Sequence, residues 1–142
     1  MNKTSIVYSD NMHKWYIINA KGHRVGRLAT EIANILRGKR KVSFHPSQIA
    51  LNHIIIINAQ QIKISGRKTQ QKLYYRHSGR PGNLKIERFN SLQNRLPHKI
   101  IENAVHQMLP KGPLGRKIFK NLKVYSGNTH PHQAQKPTEV KL

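Results

Sequence analysis

The chain has no cysteine. That removes disulfides, zinc–thiolate centres and cysteine nucleophiles together. Carboxylates are nearly as scarce, with only Asp10, Glu31, Glu87, Glu102 and Glu139 among 142 residues. No two lie close together in sequence, so two-metal nuclease and glycosidase chemistry has no candidate acid pair. Glu31 falls on the polar face of an amphipathic segment, and Asp10 and Glu139 fall in terminal stretches. Aromatic residues make up 6% of the chain, too few for a broad base-stacking platform. The longest apolar run, Ile54-Ile55-Ile56-Ile57, is far too short to cross a bilayer. The polar N-terminus, MNKTSIVYSDNMHK, has no apolar core of signal-peptide length and is short for a transit peptide. The expectation is a protein that works where it is made.

What is abundant is positive charge. There are 26 Lys and Arg residues, giving a formal net charge of +21. Such a chain repels itself until an anion neutralises it. Nucleic acid is the leading partner. A membrane surface is a weaker one, because no long basic amphipathic helix is present. The expected mode is phosphate contact and shape recognition. A chain of this length forms one domain with a real core. Isoleucine and asparagine are also frequent, a bias that follows AT-rich genomes and says little about mechanism.

Along the chain, residues 1–14 read as an arm, 15–127 as a single α/β domain and 128–142 as an extended tail needing a partner for order. Trp15-Tyr16-Ile17-Ile18-Asn19 reads as a strand. Val25, Leu28, Ala29, Ile32, Ala33, Ile35 and Leu36 recur at helical spacing, predicting a helix over 25–37 that stops at Gly38. His53 to Asn58 reads as a strand buried on both faces, hence a central strand of a parallel sheet. Strand, helix and buried strand form a βαβ unit. Residues 72–76 predict another strand, 86–96 a short helix, and Pro97 the first residue of the next. Leu114, Ile118 and Leu122 suggest one more helix, and Val124-Tyr125 a last strand. The Gly22/Gly26 pair lacks the GxGxxG spacing and a ribose-binding acid, so no nucleotide cofactor is expected.

Three basic stretches are the candidate contacts. Lys39-Arg40-Lys41 follows the first helix. Arg67, Lys68, Lys72, Arg76, His77 and Arg80 surround two tyrosines with no acid among them, which suits a loop running along a phosphate backbone. The turn Met108-Leu109-Pro110-Lys111-Gly112-Pro113-Leu114-Gly115-Arg116 is stiffened by two prolines and shaped by two glycines. It carries Lys111 and Arg116, with Lys117 and Lys120 just beyond. Its competing reading is a plain helix connector with a solvated face. His130-x-His132 has metal-ligand spacing but no further ligand set, and reads as an exposed or RNA-contacting pair.

Taken in order, several motifs resemble one family. Gly26-Arg27-Leu28-Ala29-Thr30, Leu36-Arg37-Gly38-Lys39, Ile57-Asn58-Ala59, Lys72-x-Tyr74-Tyr75-x-His77-Ser78-Gly79, the turn just quoted, and Leu122-Lys123-Val124-Tyr125-x-Gly127-x-x-His130-x-His132 recur with the spacing of the large-ribosomal-subunit protein thirteen family, bacterial type. The resemblance covers about residues 14–137. Departures include Leu51-Asn52-His53 and Gln60, where relatives usually carry acidic residues, and His106-Gln107 in place of Lys-Gly. The resemblance implies a three-layer α/β/α fold around a mainly parallel four-stranded sheet. It also implies binding to large-subunit rRNA beside neighbouring large-subunit proteins, a role in subunit assembly, and no enzymatic activity or small-molecule substrate. A free regulatory module acting on mRNA or a protein is the alternative. The composition bias points to a plastid stroma, with a bacterial cytoplasm as the alternative.

Overall fold

The structure, a computed structural model, describes residues 12–140 and residue 142. Residues 1–11 of the expected arm lie outside the described residues, and Lys14 already belongs to a strand. The elements in chain order are β1 (Lys14–Asn19), α1 (Val25–Arg37), β2 (Asn52–Ile57), a 3-10 turn (Ala59–Gln61), α2 (Lys68–Gln71), β3 (Leu73–His77), β4 (Leu84–Arg88), α3 (Phe89–Arg95), α4 (Pro97–Met108), α5 (Pro113–Phe119), β5 (Leu122–Val124) and β6 (Thr138–Glu139). One sheet has the order β5-β2-β1-β6, and every pairing in it is parallel. Five helices and this sheet make an α/β fold, consistent with the three-layer arrangement expected.

β2 is flanked on both edges, so its apolar run has nowhere to face but the interior. Ile54, Ile55 and Ile56 are each fully buried. α1 buries all seven of the residues that recur at helical spacing. Each large aliphatic side chain removed from water in this way contributes about 1.5–3 kcal/mol. α1 ends at Gly38, which is left-handed at φ 75°. A Cβ there would also fall 2.6 Å from the Ala50 side chain. Asn52 is the buried polar residue of the core, and its Nδ2 donates to the Ile35 carbonyl at 2.7 Å. That bond ties the start of β2 to the last turn of α1.

Three expectations need correcting. Residues 86–88 are not helical. Leu84-Lys85-Ile86-Glu87-Arg88 alternates with period two and pairs antiparallel with β3, Tyr75 lying opposite Ile86. The three-residue spacing of Ile86 and Phe89 mimics a helix, yet Ile86 is exposed and helix α3 starts only at Phe89. The stretch beyond Gly127 also returns to the fold. β6 pairs with β1, and the Val140 amide donates to the Ile17 carbonyl at 3.0 Å. Leu122, expected on the last helix, opens β5 instead.

A ring ladder holds that returning segment. His132 is half-buried, with its ring 5.4 Å from Trp15 and its Nε2 hydrogen-bonded to the Tyr125 hydroxyl at 2.8 Å. Trp15 stacks on His53 at 4.3 Å, and His53 hydrogen-bonds His13 at 2.9 Å. The His130/His132 pair is thus part of a packed cluster, and among the described residues no group of three or more ligands could hold a metal.

The turn 108–116 links α4 to α5, with Pro113 in the first turn of α5. Gly115 is buried against the Pro110 backbone. A Cβ on it would lie 1.8 Å from the Pro110 carbonyl oxygen. The turn therefore closes on itself, and its shape depends on that missing methyl.

Gly115→Ala is expected to lower unfolding free energy by about 3 kcal/mol, the scale of a forced backbone shift; urea denaturation reads it. A second expectation concerns pH. Burial, then the neighbouring His13 and Lys123, push the His53 pKa below its ordinary value. The unfolded chain therefore binds this proton more readily than the folded one. Stability is full above about pH 6.5 and falls below it, until the folded-state pKa is passed. Melting temperature should drop between pH 7.5 and 5.5, and His53→Phe should shrink that drop.

Candidate nucleic-acid interface

The backbone of 62–66 is pinned to the start of α1. The Val25 amide donates to the Lys63 carbonyl at 3.1 Å, and the Lys63 amide donates to the His23 carbonyl at 2.9 Å. Arg24 and Lys63 form a parallel bridge. Residues far apart in sequence thereby share one edge. Residues of α2 and β3, and α4 from Ile100 to Met108, line the same space. Between them lies an open groove of about 780 Å³.

Five cations line this groove: Arg24, Arg27, Lys63, Lys68 and Lys72. All five are exposed, and no carboxylate lines the groove with them. Tyr74 packs against the core, with the Lys72 ammonium 5.3 Å from its ring centre. Burial pushes the Tyr74 hydroxyl pKa up, so it stays a neutral donor and acceptor.

The expected contacts divide among several places. Lys68 and Lys72 line the groove. Arg67 stands just before α2, and Arg76 and His77 continue along β3 to Arg80 in the hairpin turn. His77 Nδ1 accepts the Gly79 amide at 2.9 Å, which shapes that turn. Lys111 lies in the turn between α4 and α5, and Arg116, Lys117 and Lys120 lie on or just after α5. All of these are exposed. Lys39, Arg40 and Lys41 follow α1, with Lys41 half-buried and Arg40 ion-paired to Glu31.

Sequence reasoning missed Arg24, Arg27 and Lys63. Nothing in the local sequence joins Arg24 to Lys63, which meet through a backbone bridge. The density of cations around the Gly22/Gly26 turn was the available signal.

The few acids are mostly spent. Glu87 accepts two bonds from Arg95, at 3.1 and 2.6 Å. The hydrogen-bonded guanidinium holds the Glu87 carboxyl below the usual carboxylate range. Glu102 meets Lys99 at 3.2 Å. These exposed pairs contribute little to stability.

Residues 13–131 match the sequence profile of the family described as ribosomal protein L13. The chain belongs to the ribosomal protein L13 family. It is 59% identical over 138 residues to "Large ribosomal subunit protein uL13" of Synechocystis sp., covering 96% of this chain and 91% of that one. It is 54% identical to "Large ribosomal subunit protein uL13c" of Porphyra purpurea and 55% identical to that of Pyropia yezoensis, in each case over 98% of both chains. L13 membership agrees with the motifs that recur from Gly26 to His132.

Arg27→Ala with Lys63→Ala is expected to weaken binding to an RNA strand by on the order of tenfold, through loss of two charge-assisted contacts. Arg40→Ala, whose charge already meets Glu31, should weaken it by less than about twofold. Filter binding at fixed salt distinguishes the two.

Proposed function

We propose that the protein is a structural constituent of the large ribosomal subunit that binds large-subunit rRNA and supports subunit assembly. The observation that carries this reading is the carboxylate-free groove with its five cations, in a chain of net charge +21 that belongs to the L13 family. Phosphates of folded RNA are the partner that such a surface needs. The groove supplies a concave seat. The hairpin cations Arg76 and Arg80 extend the contact outward, and Lys111, Arg116, Lys117 and Lys120 offer a second patch. Arginine grips phosphate in a fork or stacks on a base, whereas lysine adds a point charge. Neighbouring large-subunit proteins are further partners in this reading. No catalytic step is assigned.

For the compartment, we infer a plastid stroma. The isoleucine and asparagine bias supports it, as do the nearly end-to-end plastid-type relatives from Porphyra purpurea and Pyropia yezoensis. The 59% identical Synechocystis sp. relative keeps a bacterial cytoplasm as the competing reading. Recovery of the protein in ribosomes from isolated plastids decides between them.

The protein should sediment with large subunits through a moderate-salt wash. With purified protein and a large-subunit rRNA transcript, log affinity against log salt should have a slope of about −3.5 or steeper, at roughly −0.7 per phosphate for five contacts. A slope near zero would sink the mechanism.

A further inference from the structure

The groove is more than a strip of charge. Ile64, Leu73, Tyr74, Ala104 and Met108 give it an apolar lining, and a phosphate alone has no use for one. On α4, Asn103 and Gln107 line the groove one helical turn apart on the same side. Neither side chain makes a hydrogen bond among the described residues. Each amide offers both donors and an acceptor, the complement of a nucleobase edge. The volume of about 780 Å³ falls in the range of small-ligand sites.

We propose that the groove is a nucleotide pocket that takes one unpaired nucleotide turned out of the RNA stack. This deepens the rRNA-binding reading and rests on it. The flanking phosphates sit against Arg24, Arg27, Lys63, Lys68 and Lys72. The base enters between Tyr74 and Met108, and its edge meets Asn103 and Gln107. Single-stranded, splayed bases are what proteins read in RNA by stacking and edge contacts. Met108 is held by its neighbour: the Thr30 hydroxyl lies 3.5 Å from its sulfur. The pocket thus adds base recognition to a surface otherwise built for phosphate.

The test uses the full chain and a protein-free large-subunit rRNA transcript. Hydroxyl-radical cleavage reports the backbone, and base-edge chemical modification reports unpaired bases. Wild type should protect a backbone tract and, within it, reduce modification of at least one unpaired base by about fivefold or more. Asn103→Ala with Gln107→Ala should restore that base's reactivity while keeping the backbone tract protected. Gln107→Ala alone, at an exposed position, should restore it in part and guards against a folding defect in the double variant. A protected backbone with every unpaired base unchanged would overturn the pocket and leave the rRNA reading standing. Base protection that survives both substitutions would overturn it equally. No backbone protection at moderate salt would overturn the rRNA reading, and the pocket with it.

Discussion

Mutual repulsion among 26 cationic side chains, set against five carboxylates, is the condition under which this chain must fold. The repulsion can be tolerated only if the charges stay in water and the interior is almost wholly apolar. The core is built that way. Its members are Ile, Leu, Val, Ala and one Phe, with Asn52 the buried polar residue. That amide is retained where it ties β2 to the end of α1. Three of the glutamates hold cations at the periphery, and so lower the repulsion without entering the core. An anionic partner would then remove the remaining strain, so binding and folding stability are coupled through the same charges.

A rigid interior is also what gives the surface its meaning. Cations on a flexible chain bind phosphate with no preference for shape. Here Lys63 is fixed to the start of α1 by backbone hydrogen bonds, and the turn between α4 and α5 is closed by Gly115 against Pro110. The charges therefore sit at set separations. An RNA fold whose phosphates match those separations is favoured over one that merely carries the same charge.

Where one period dominated, the sequence was readable. α1 has an uninterrupted apolar stripe and a stop at Gly38, and β2 has an unbroken run of isoleucines, so both appear where expected. Between Leu84 and Leu96 two periods compete over a few residues. Alternation up to Arg88 and helical spacing from Ile86 onward overlap, and pairing with β3 decides in favour of a strand. The last strand could not be read from two polar residues, Thr138 and Glu139, because its placement is settled by the Trp15–His132–Tyr125 contacts. The groove was half-legible for a similar reason. Lys68 and Lys72 belong to an obvious basic stretch, but Arg24, Arg27 and Lys63 converge only through a backbone bridge between two segments. The resemblance to a known family depended on none of this, since motif order survives ignorance of what touches what.

The pairing of β6 with β1 bears on how the chain reaches this state. Tyr16 and Thr138 lie opposite each other but are on the order of 120 residues apart in sequence. Closing so long a loop is entropically costly and brings only a two-residue strand, so it comes after β1 and β2 have joined. Until then the outer edge of β1, with Ile17 and Ile18 on it, is an open template for any extended chain. The interval before the ring ladder engages is thus when this protein is most exposed to mispairing, and when a chaperone or an early RNA contact would protect it most.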